Sequence, residues 1–295
     1  MKTNAALAAG IRRIAREELE GALCEINGVT AGEEARAVHD TRKHIKKARA
    51  LLRLVREEIG KDIFKEENRQ LREVARSFAS SRDSRVRLQV LEKLREQVAP
   101  EDVAFPHTAA ALEEKIEAAV ESFGPRQDEV LAILQRMCDR IEGWPLEDLG
   151  IDDLCCALKD AYRRGRKCFR RVRTDPTAEN FHSLRKRVKD IWYQARILQN
   201  LNRAVLSEMA EAAKTLGQRL GDLHDLASFR DWLEASADSP EEERAVLLGL
   251  ICARERELER VVLGLCARFF AEKPGPFERR LIRYARDWPA PQDPA

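Results

Sequence analysis

A run of cationic side chains between residues 38 and 58 recurs at the spacing of an α-helix. With about 100° of rotation per residue, six of these side chains share one face: His39, Arg42, Lys43, Lys46, Arg49 and Arg53. From Thr41 to Arg56 the segment holds seven cations and no carboxylate. A solvated helix face ordinarily interleaves Glu with Lys, because opposite charges one turn apart attract and like charges repel. The uncompensated repulsion therefore predicts that an anion binds this face.

The residue types on this face point to phosphate as that anion. The arginine guanidinium presents a fork of donors that matches phosphate oxygens, and lysine supplies a compact charge. Because cations recur along several turns of about 5.4 Å each, the stripe suits a linear polyanion better than one small anion. The ring of His39 could contact the anion, or it could serve a structural or capping role at the start of the helix.

The same pattern returns after a shift of 143 residues, which suggests an internal duplication. The second copy places a histidine, an Arg-Lys pair and two further cations in register, at His182, Arg185, Lys186, Lys189 and Arg196. Two positions depart from the repeat, since Trp192 replaces Arg49 and Asp190 replaces Lys47. These departures predict a weaker second stripe.

Two further helices carry cations that could join the site. The helix before the second stripe places four cations opposite its apolar residues, at Arg163, Arg166, Lys167 and Arg170. The first helix adds Arg13, although Glu17 and Glu20 interrupt its basic face. Any single cation of this kind can equally be a solvated residue or the partner of an acid elsewhere in the fold. The two repeated stripes are the stronger evidence for a binding site.

The composition predicts an all-α protein. The 295 residues include only 14 Gly and 11 Pro, and aromatic residues make up 6%, whereas Ala, Leu, Glu and Arg are abundant. The net charge is only +2, so an anion site requires segregation of charge rather than an excess of it. The seven cysteines form no CxxC pair, which favours reduced thiols in a cytoplasmic protein and argues against zinc. We find no signal-peptide core and no apolar run long enough to span a membrane, so the prediction is a cytoplasmic protein.

The order of helices and breaks predicts two four-helix bundles related by duplication. The second helix carries the first stripe and is expected to end at Gly60, and Thr108 is the expected N-cap of the fourth helix. Breaks at Gly124-Pro125 and Pro274-Gly275-Pro276 separate the units. The predicted organisation is a first bundle at 1–123, a linker with a short helix at 124–150, a second bundle at 151–272, and a short helix and tail at 273–295.

Several segments resemble the CHAD domain family. HDTRKHIKKARALLR and FHSLRKRVKDIWYQAR look like the two hallmark helices of that family. The pairs Arg82-Asp83 and His224-Asp225 fit its third helices, and the YRRGRK segment that begins at Tyr162 is similar to its fifth. The resemblance covers most of the chain, from Ala5 to Phe270.

This resemblance implies a fold and a ligand. The implied fold is a pair of four-helix bundles around a pseudo-two-fold axis, with a basic central groove or pore. The implied ligand is inorganic polyphosphate, held without catalysis, cofactor or metal by the paired stripes, and the implied setting includes polyphosphate granules. Some relatives carry an attached triphosphatase domain, in which a β-strand holds alternating Glu residues and a Lys, and we find no such strand in this sequence.

Other functions are weighed against polyphosphate binding. Nucleic-acid binding, in particular of RNA, is the main alternative, although aromatic residues for stacking are almost absent from the basic faces. Catalysis of phosphoryl transfer would need a phosphate-cradling glycine loop or a clustered acidic motif, and neither GxxxxGK[ST] nor such a cluster occurs. A helical scaffold that docks an acidic protein is the third possibility. The oligomeric state does not follow from the sequence.

Overall fold

Apolar residues spaced three and four apart form the stripe by which each helix packs into the core. In the first helix this stripe consists of Ala8, Ile11, Ala15, Leu19, Ala22 and Ile26, all of which are buried. The structure is a computed structural model that describes residues 4–29, 33–77, 79–96, 105–121, 124–236 and 238–286, apart from the side chains of 79–82, 119–121 and 124–126. Within these residues every regular element is a helix, so the predicted all-α class is confirmed.

The first half of the chain forms seven α-helices in the described residues. They are α1 (Asn4–Asn27), α2 (Glu34–Leu54), α3 (Arg56–Ile59), α4 (Lys61–Ser77), α5 (Ala79–Arg95), α6 (Pro106–Glu121) and α7 (Gly124–Arg140). α1 packs along α2 and α7, while α4 packs against α2 and α7. α5 and α6 pack against each other, and α5 also contacts α2.

The second half contains five longer or terminal helices in the described residues. They are α8 (Ile151–Thr174), α9 (Ala178–Ile197), α10 (Arg203–Ala235), α11 (Glu241–Phe269) and α12 (Pro274–Arg286). α9 packs between α8 and α10, α10 packs on α11, and α12 covers α8. Short 3-10 turns at Ile141–Gly143 and Gln199–Leu201 connect the longer elements.

The two halves share a hydrophobic core and meet along α2 and α9. These are the helices that carry the two predicted cationic stripes. Gln194 of α9 is fully buried and its amide donates to the carbonyl of Ala50 at 3.2 Å. The α5–α6 pair reaches across to α10 through α5. The duplication, the pseudo-two-fold axis and the division into domains stay predictions.

Two expected helix boundaries are wrong. The second helix was expected to continue to Gly60, but α2 ends at Leu54 because Val55 leaves the helical region (φ −106°, ψ 17°). The bend keeps Val55 and Ile59 in the core, at 0% and 2% exposure. The fourth helix begins at Pro106, a residue well suited to the first helical position, so that Thr108 lies inside its first turn.

The first turn of α6 is held by a carboxylate from α11. Glu243 accepts hydrogen bonds from the Thr108 hydroxyl at 2.7 Å and the Thr108 amide at 3.0 Å. It also contacts the His107 ring at 2.9 Å. Burial raises the pKa of Glu243, but the hydrogen bonds from Thr108 and His107 outweigh it and the net pKa falls below its ordinary value of 4.5. The ionised carboxylate therefore links α6 to α11.

We expect Glu243→Ala to lower the free energy of unfolding by about 2 kcal/mol, because two donors of Thr108 lose a charged acceptor. The neighbouring Glu242→Ala is the control, since Glu242 is exposed. The folded-state pKa is depressed, so this stabilisation is present above pH 4.5 and is lost as the pH falls through the lower folded-state value. Urea denaturation of the three proteins at pH 7 and pH 3.5 measures both effects. Equal stability of the two variants at pH 7 would contradict this role.

No helix within the described ranges combines the length and the apolar character that crossing a bilayer requires.

Candidate anion-binding cleft

A cleft of about 380 Å³ opens where α2, α9 and α10 meet. Its cationic lining residues come from all three helices: Lys43, Lys46, Arg185, Lys189 and Lys214. His39 lies at the same wall, one turn before Lys43. The structure thus brings some residues of each predicted stripe to one concave surface.

Small residues on α10 allow the cationic residues of α9 to approach closely. A β-carbon added at Gly217 would lie 3.8 Å from Cγ of Lys189, and one at Gly221 would lie 3.4 Å from Nη2 of Arg185. Both glycines line the cleft one helical turn apart. The guanidinium of Arg185 and the aliphatic stem of Lys189 therefore lie against the α10 backbone.

The cleft also holds carboxylates and aromatic rings. Asp222 and Asp225 of α10 line the cleft, so five cations face two acids. Trp192 and Tyr193 of α9 complete the lining, with ring centroids 4.4 Å apart. Tyr193 is buried, whereas Trp192 keeps part of its surface exposed. The net charge of the lining is positive, as an anion site requires.

Comparison with known families identifies the domain to which these helices belong. A family model described as the CHAD domain matches residues 13–234, a range that contains every residue of the cleft lining. This chain belongs to the CHAD domain family. No curated protein matches the chain.

Three arginines of the first stripe are absent from the cleft lining of this CHAD domain and bind partners on other helices. Arg42 donates to the carbonyl of Ala75 on α4. Arg49 donates to Oδ1 of Asn68 at 3.2 Å, and Arg53 donates to Oδ1 of Asp190 at 2.9 Å. These side chains connect α2 to α4 and α9. The stripe is one face on a helical projection, but its members serve different neighbours.

The remaining predicted residues also lie outside the cleft lining. Arg13 pairs with Glu17, Arg163 pairs with Asp160 at 3.3 Å, and Arg166 donates to the carbonyl of Phe270 at 2.9 Å. Five more predicted residues are also absent from the lining: Lys167, Arg170, Lys186 and Arg196, which are exposed, and His182, which lies on α9 one turn before Arg185. The side chain of Arg82 lies outside the described residues, and Asp83 is exposed on α5.

A second group of cations surrounds Asp190 at the junction of α2, α4, α8 and α9. Arg53 and Arg187 approach its two carboxylate oxygens at 2.9 and 3.2 Å. Burial raises the pKa of Asp190, and the nearby arginines act in the opposite direction. Burial, together with the charge of Arg53, lowers the pKa of Arg49 to about 10.

Several residues of the cleft and of the cation group around Asp190 were not predicted from the sequence. Lys214 of the cleft lies on α10 among acids and follows no stripe, although Gly217 and Gly221 four residues apart indicate close helix packing there. Arg164 and Arg187 lie off the predicted faces of α8 and α9, yet they reach the charges around Asp190. The departure of Asp190 from the repeat was the available signal for this cluster.

His182 and His224 contact each other beside the cleft. Their ring centroids are 4.3 Å apart, and Nδ1 of His182 is buried without a hydrogen-bond partner in the described structure. Burial, His224, Lys186 and Arg185 lower the pKa of His182 to about 4. His182 is therefore neutral at pH 7 and adds no charge to the site.

We expect the CHAD domain to lose stability as the pH falls from 6.5 towards 4, because the unfolded chain binds a proton at position 182 that the folded chain does not accept. His182→Gln should remove part of this pH dependence while leaving the helical content unchanged. Denaturation midpoints at pH 7 and pH 5 measure the effect. An identical pH-dependent loss in the wild-type protein and the variant would contradict it.

Proposed function

We propose that this CHAD domain binds inorganic polyphosphate in the cleft between α2, α9 and α10. The observation that carries the proposal is the convergence of five cations from three helices on one concave surface. The family assignment supports the choice of ligand, because the CHAD resemblance implies polyphosphate. Each internal phosphate of the polymer carries a negative charge at neutral pH, so successive phosphates can neutralise successive cations of the lining.

The shape and chemistry of the lining fit a polymer held by side chains. Lys43 and Lys46 project from α2 at helical spacing, while Arg185 and Lys189 do the same from α9. Two rows of cations that face a common cleft can contact opposite sides of one phosphate chain. The carboxylates of Asp222 and Asp225 repel phosphate groups. The polymer is therefore expected to follow the two rows of cations and to avoid the part of the cleft that these carboxylates line.

Binding is expected to be electrostatic in origin and sensitive to salt. A polyanion that displaces counterions gains entropy from their release, which is the behaviour of nucleic-acid backbones and is applied here by analogy. Filling the cleft is also expected to relieve repulsion among its four lysines and Arg185, so the ligand should stabilise the folded state.

RNA is the competing ligand that the lining could accept, because Trp192 offers one partly exposed ring for a base. We expect long polyphosphate to displace labelled single-stranded RNA from the protein at a low concentration of phosphate groups. RNA or DNA should displace labelled polyphosphate only at a much higher concentration of phosphate groups. Fluorescence anisotropy with nuclease-treated protein measures both directions. Preferential retention of RNA would reverse the assignment.

We further propose that this binding is not coupled to catalysis. Neither a phosphate-cradling glycine loop nor a clustered acidic motif occurs in the sequence. The same incubations with polyphosphate and Mg²⁺, assayed for released phosphate, provide the test. Release that depends on protein and metal, and that disappears in a cleft variant, would show an enzyme instead.

A further inference from the structure

A cavity of about 240 Å³ lies between α5, α10 and α11. Its apolar lining comes from all three helices and consists of Val90 and Leu94 of α5, Leu226 of α10 and Leu258 of α11. Each of these four residues is at most 7% exposed. The cavity is larger than the roughly 150 Å³ in which an engineered apolar protein cavity holds benzene, so it has room for an organic ligand of about ten non-hydrogen atoms.

The polar part of the lining holds one more cation than carboxylates. Its members are Lys93, Arg219, Asp222, Asp225 and Arg254. Arg219 pairs with Asp222 at 3.8 Å, and Arg254 pairs with Glu257 one turn along α11. Lys93 is exposed and forms no ion pair with another residue of the part of the chain that the structure describes. The positive charge in excess therefore belongs to Lys93.

The position of Lys93 joins this charge to the apolar wall. Val90, Lys93 and Leu94 are three and four residues apart, so they share one face of α5. A ligand on this wall meets a buried apolar surface with one uncompensated ammonium group beside it. Asp222 and Asp225 would repel an anion of higher charge, and the net positive lining disfavours a cation.

We propose that this cavity binds an amphiphile with a single negative charge, namely a medium-chain carboxylate of about eight carbons. The hydrocarbon chain packs against the four apolar side chains, and its removal from water supplies most of the binding free energy. The carboxylate pairs with the ammonium group of Lys93. Inorganic phosphate and its polymers have no apolar part to fill the cavity, so the proposal does not depend on polyphosphate binding in the cleft of α2, α9 and α10.

The probe is octanoate labelled at its carboxyl carbon, titrated into the full chain and followed by nuclear magnetic resonance. A ligand of this size should bind with a Kd on the order of 1 mM or tighter. Octanol, which has the same chain and no charge, is titrated in parallel. The alcohol reports on the apolar wall alone, whereas the carboxylate reports on the wall and on Lys93.

Charge reversal at Lys93 tests the contact with the carboxylate. Lys93→Glu should weaken octanoate binding by about tenfold, because an attractive charge becomes a repulsive one, and should leave octanol binding within about twofold. Arg95→Glu is the matched control, since it makes the same change of net charge at an exposed position of α5 that does not line the cavity. The control should bind octanoate within about twofold of the wild type at moderate salt.

A larger side chain at Val90 tests the apolar part of the site. Val90→Phe reduces the space inside the cavity, so it should weaken binding of octanoate and octanol alike, by about tenfold or more. Circular dichroism establishes that the variant is folded before the titration. If its folded state is lost, the comparison of Lys93→Glu with Arg95→Glu still decides the question.

Four results would each overturn the proposal. They are the absence of octanoate binding below the concentration at which octanoate forms micelles, equal loss of affinity in Lys93→Glu and Arg95→Glu, unchanged affinity in folded Val90→Phe, and displacement of octanoate by an equal concentration of inorganic phosphate. The last result would show a site for anions in general.

A further variant separates this cavity from the cleft that shares Asp222 and Asp225 with it. The protein with Lys43→Gln, Lys46→Gln and Lys189→Gln should bind octanoate within about twofold of the wild type, because none of these lysines lines the cavity. Loss of octanoate binding in this protein, with binding retained in Lys93→Glu, would assign the carboxylate to the cleft and overturn the proposal.

Discussion

Replacing Lys43, Lys46 and Lys189 with Gln should weaken binding of long polyphosphate on the order of a hundredfold at low salt. Each of these side chains lines the cleft, and together they come from both helices that carry the repeated stripe. A net contribution of about 1 kcal/mol for each charged contact gives roughly 3 kcal/mol, which corresponds to that loss in Kd. Arg42 is left unchanged, because it donates to the Ala75 carbonyl and its loss would also affect the contact of α2 with α4.

A matched variant separates the cleft from net charge. Arg13→Gln, Lys167→Gln and Arg170→Gln removes the same number of charges from exposed positions that do not line the cleft. We expect this protein to bind polyphosphate within a few-fold of the wild type at moderate salt, where distant charges are screened. Fluorescence anisotropy with labelled polyphosphate measures all three proteins. If both triple variants lost affinity equally, binding would depend on overall charge and the cleft would have no special role.

Asp190→Ala should lower the free energy of unfolding by about 3–5 kcal/mol, the second large effect we expect. The side chains of Arg53 and Asp190 are 18% and 9% exposed, so the pair is largely removed from water. Removing the carboxylate leaves Arg53 beside Arg187 and Arg164 without the charge that offsets their repulsion. Because Arg53 lies on α2 and Asp190 on α9, this loss weakens the contact between the two halves of the chain.

An exposed pair supplies the control for this effect. Glu17→Ala removes the partner of Arg13, and the two side chains are 55% and 66% exposed, so the change should cost well under 1 kcal/mol. Urea denaturation monitored by circular dichroism at pH 7 gives both values. A loss below 1 kcal/mol in Asp190→Ala would mean that the ion pair contributes little to the junction.

The sequence predicted the helices better than the directions of their side chains. Spacing alone placed the two rows of cations on α2 and α9, because a regular helix determines which residues share a face. Spacing could not show that Lys43 and Arg53, on the same face of α2, meet different partners. Lys43 lies near α10, whereas Arg53 lies near Asp190 of α9, and this difference depends on where the neighbouring helices cross α2.

Which residues line the cleft also depends on how the helices pack against one another. Lys214 joins the lining only because α10 packs against α9, which Gly217 and Gly221 allow by their lack of side chains. The sequence shows the two glycines, but it does not show that α9 is the helix that packs against them. The bend at Val55 was missed because the sequence there holds neither Gly nor Pro to indicate a break.

The salt dependence of polyphosphate binding, compared between the wild type and the Lys43, Lys46 and Lys189 variant, tests the central claim most directly. By analogy with single-stranded nucleic acids, the slope of log Kobs against log salt should be about −3 to −4 for five contacting cations. Removing three of them should make the slope shallower by about 2. Parallel slopes in the two proteins, or wild-type binding that does not change with salt, would contradict a polyphosphate site in the cleft of α2, α9 and α10.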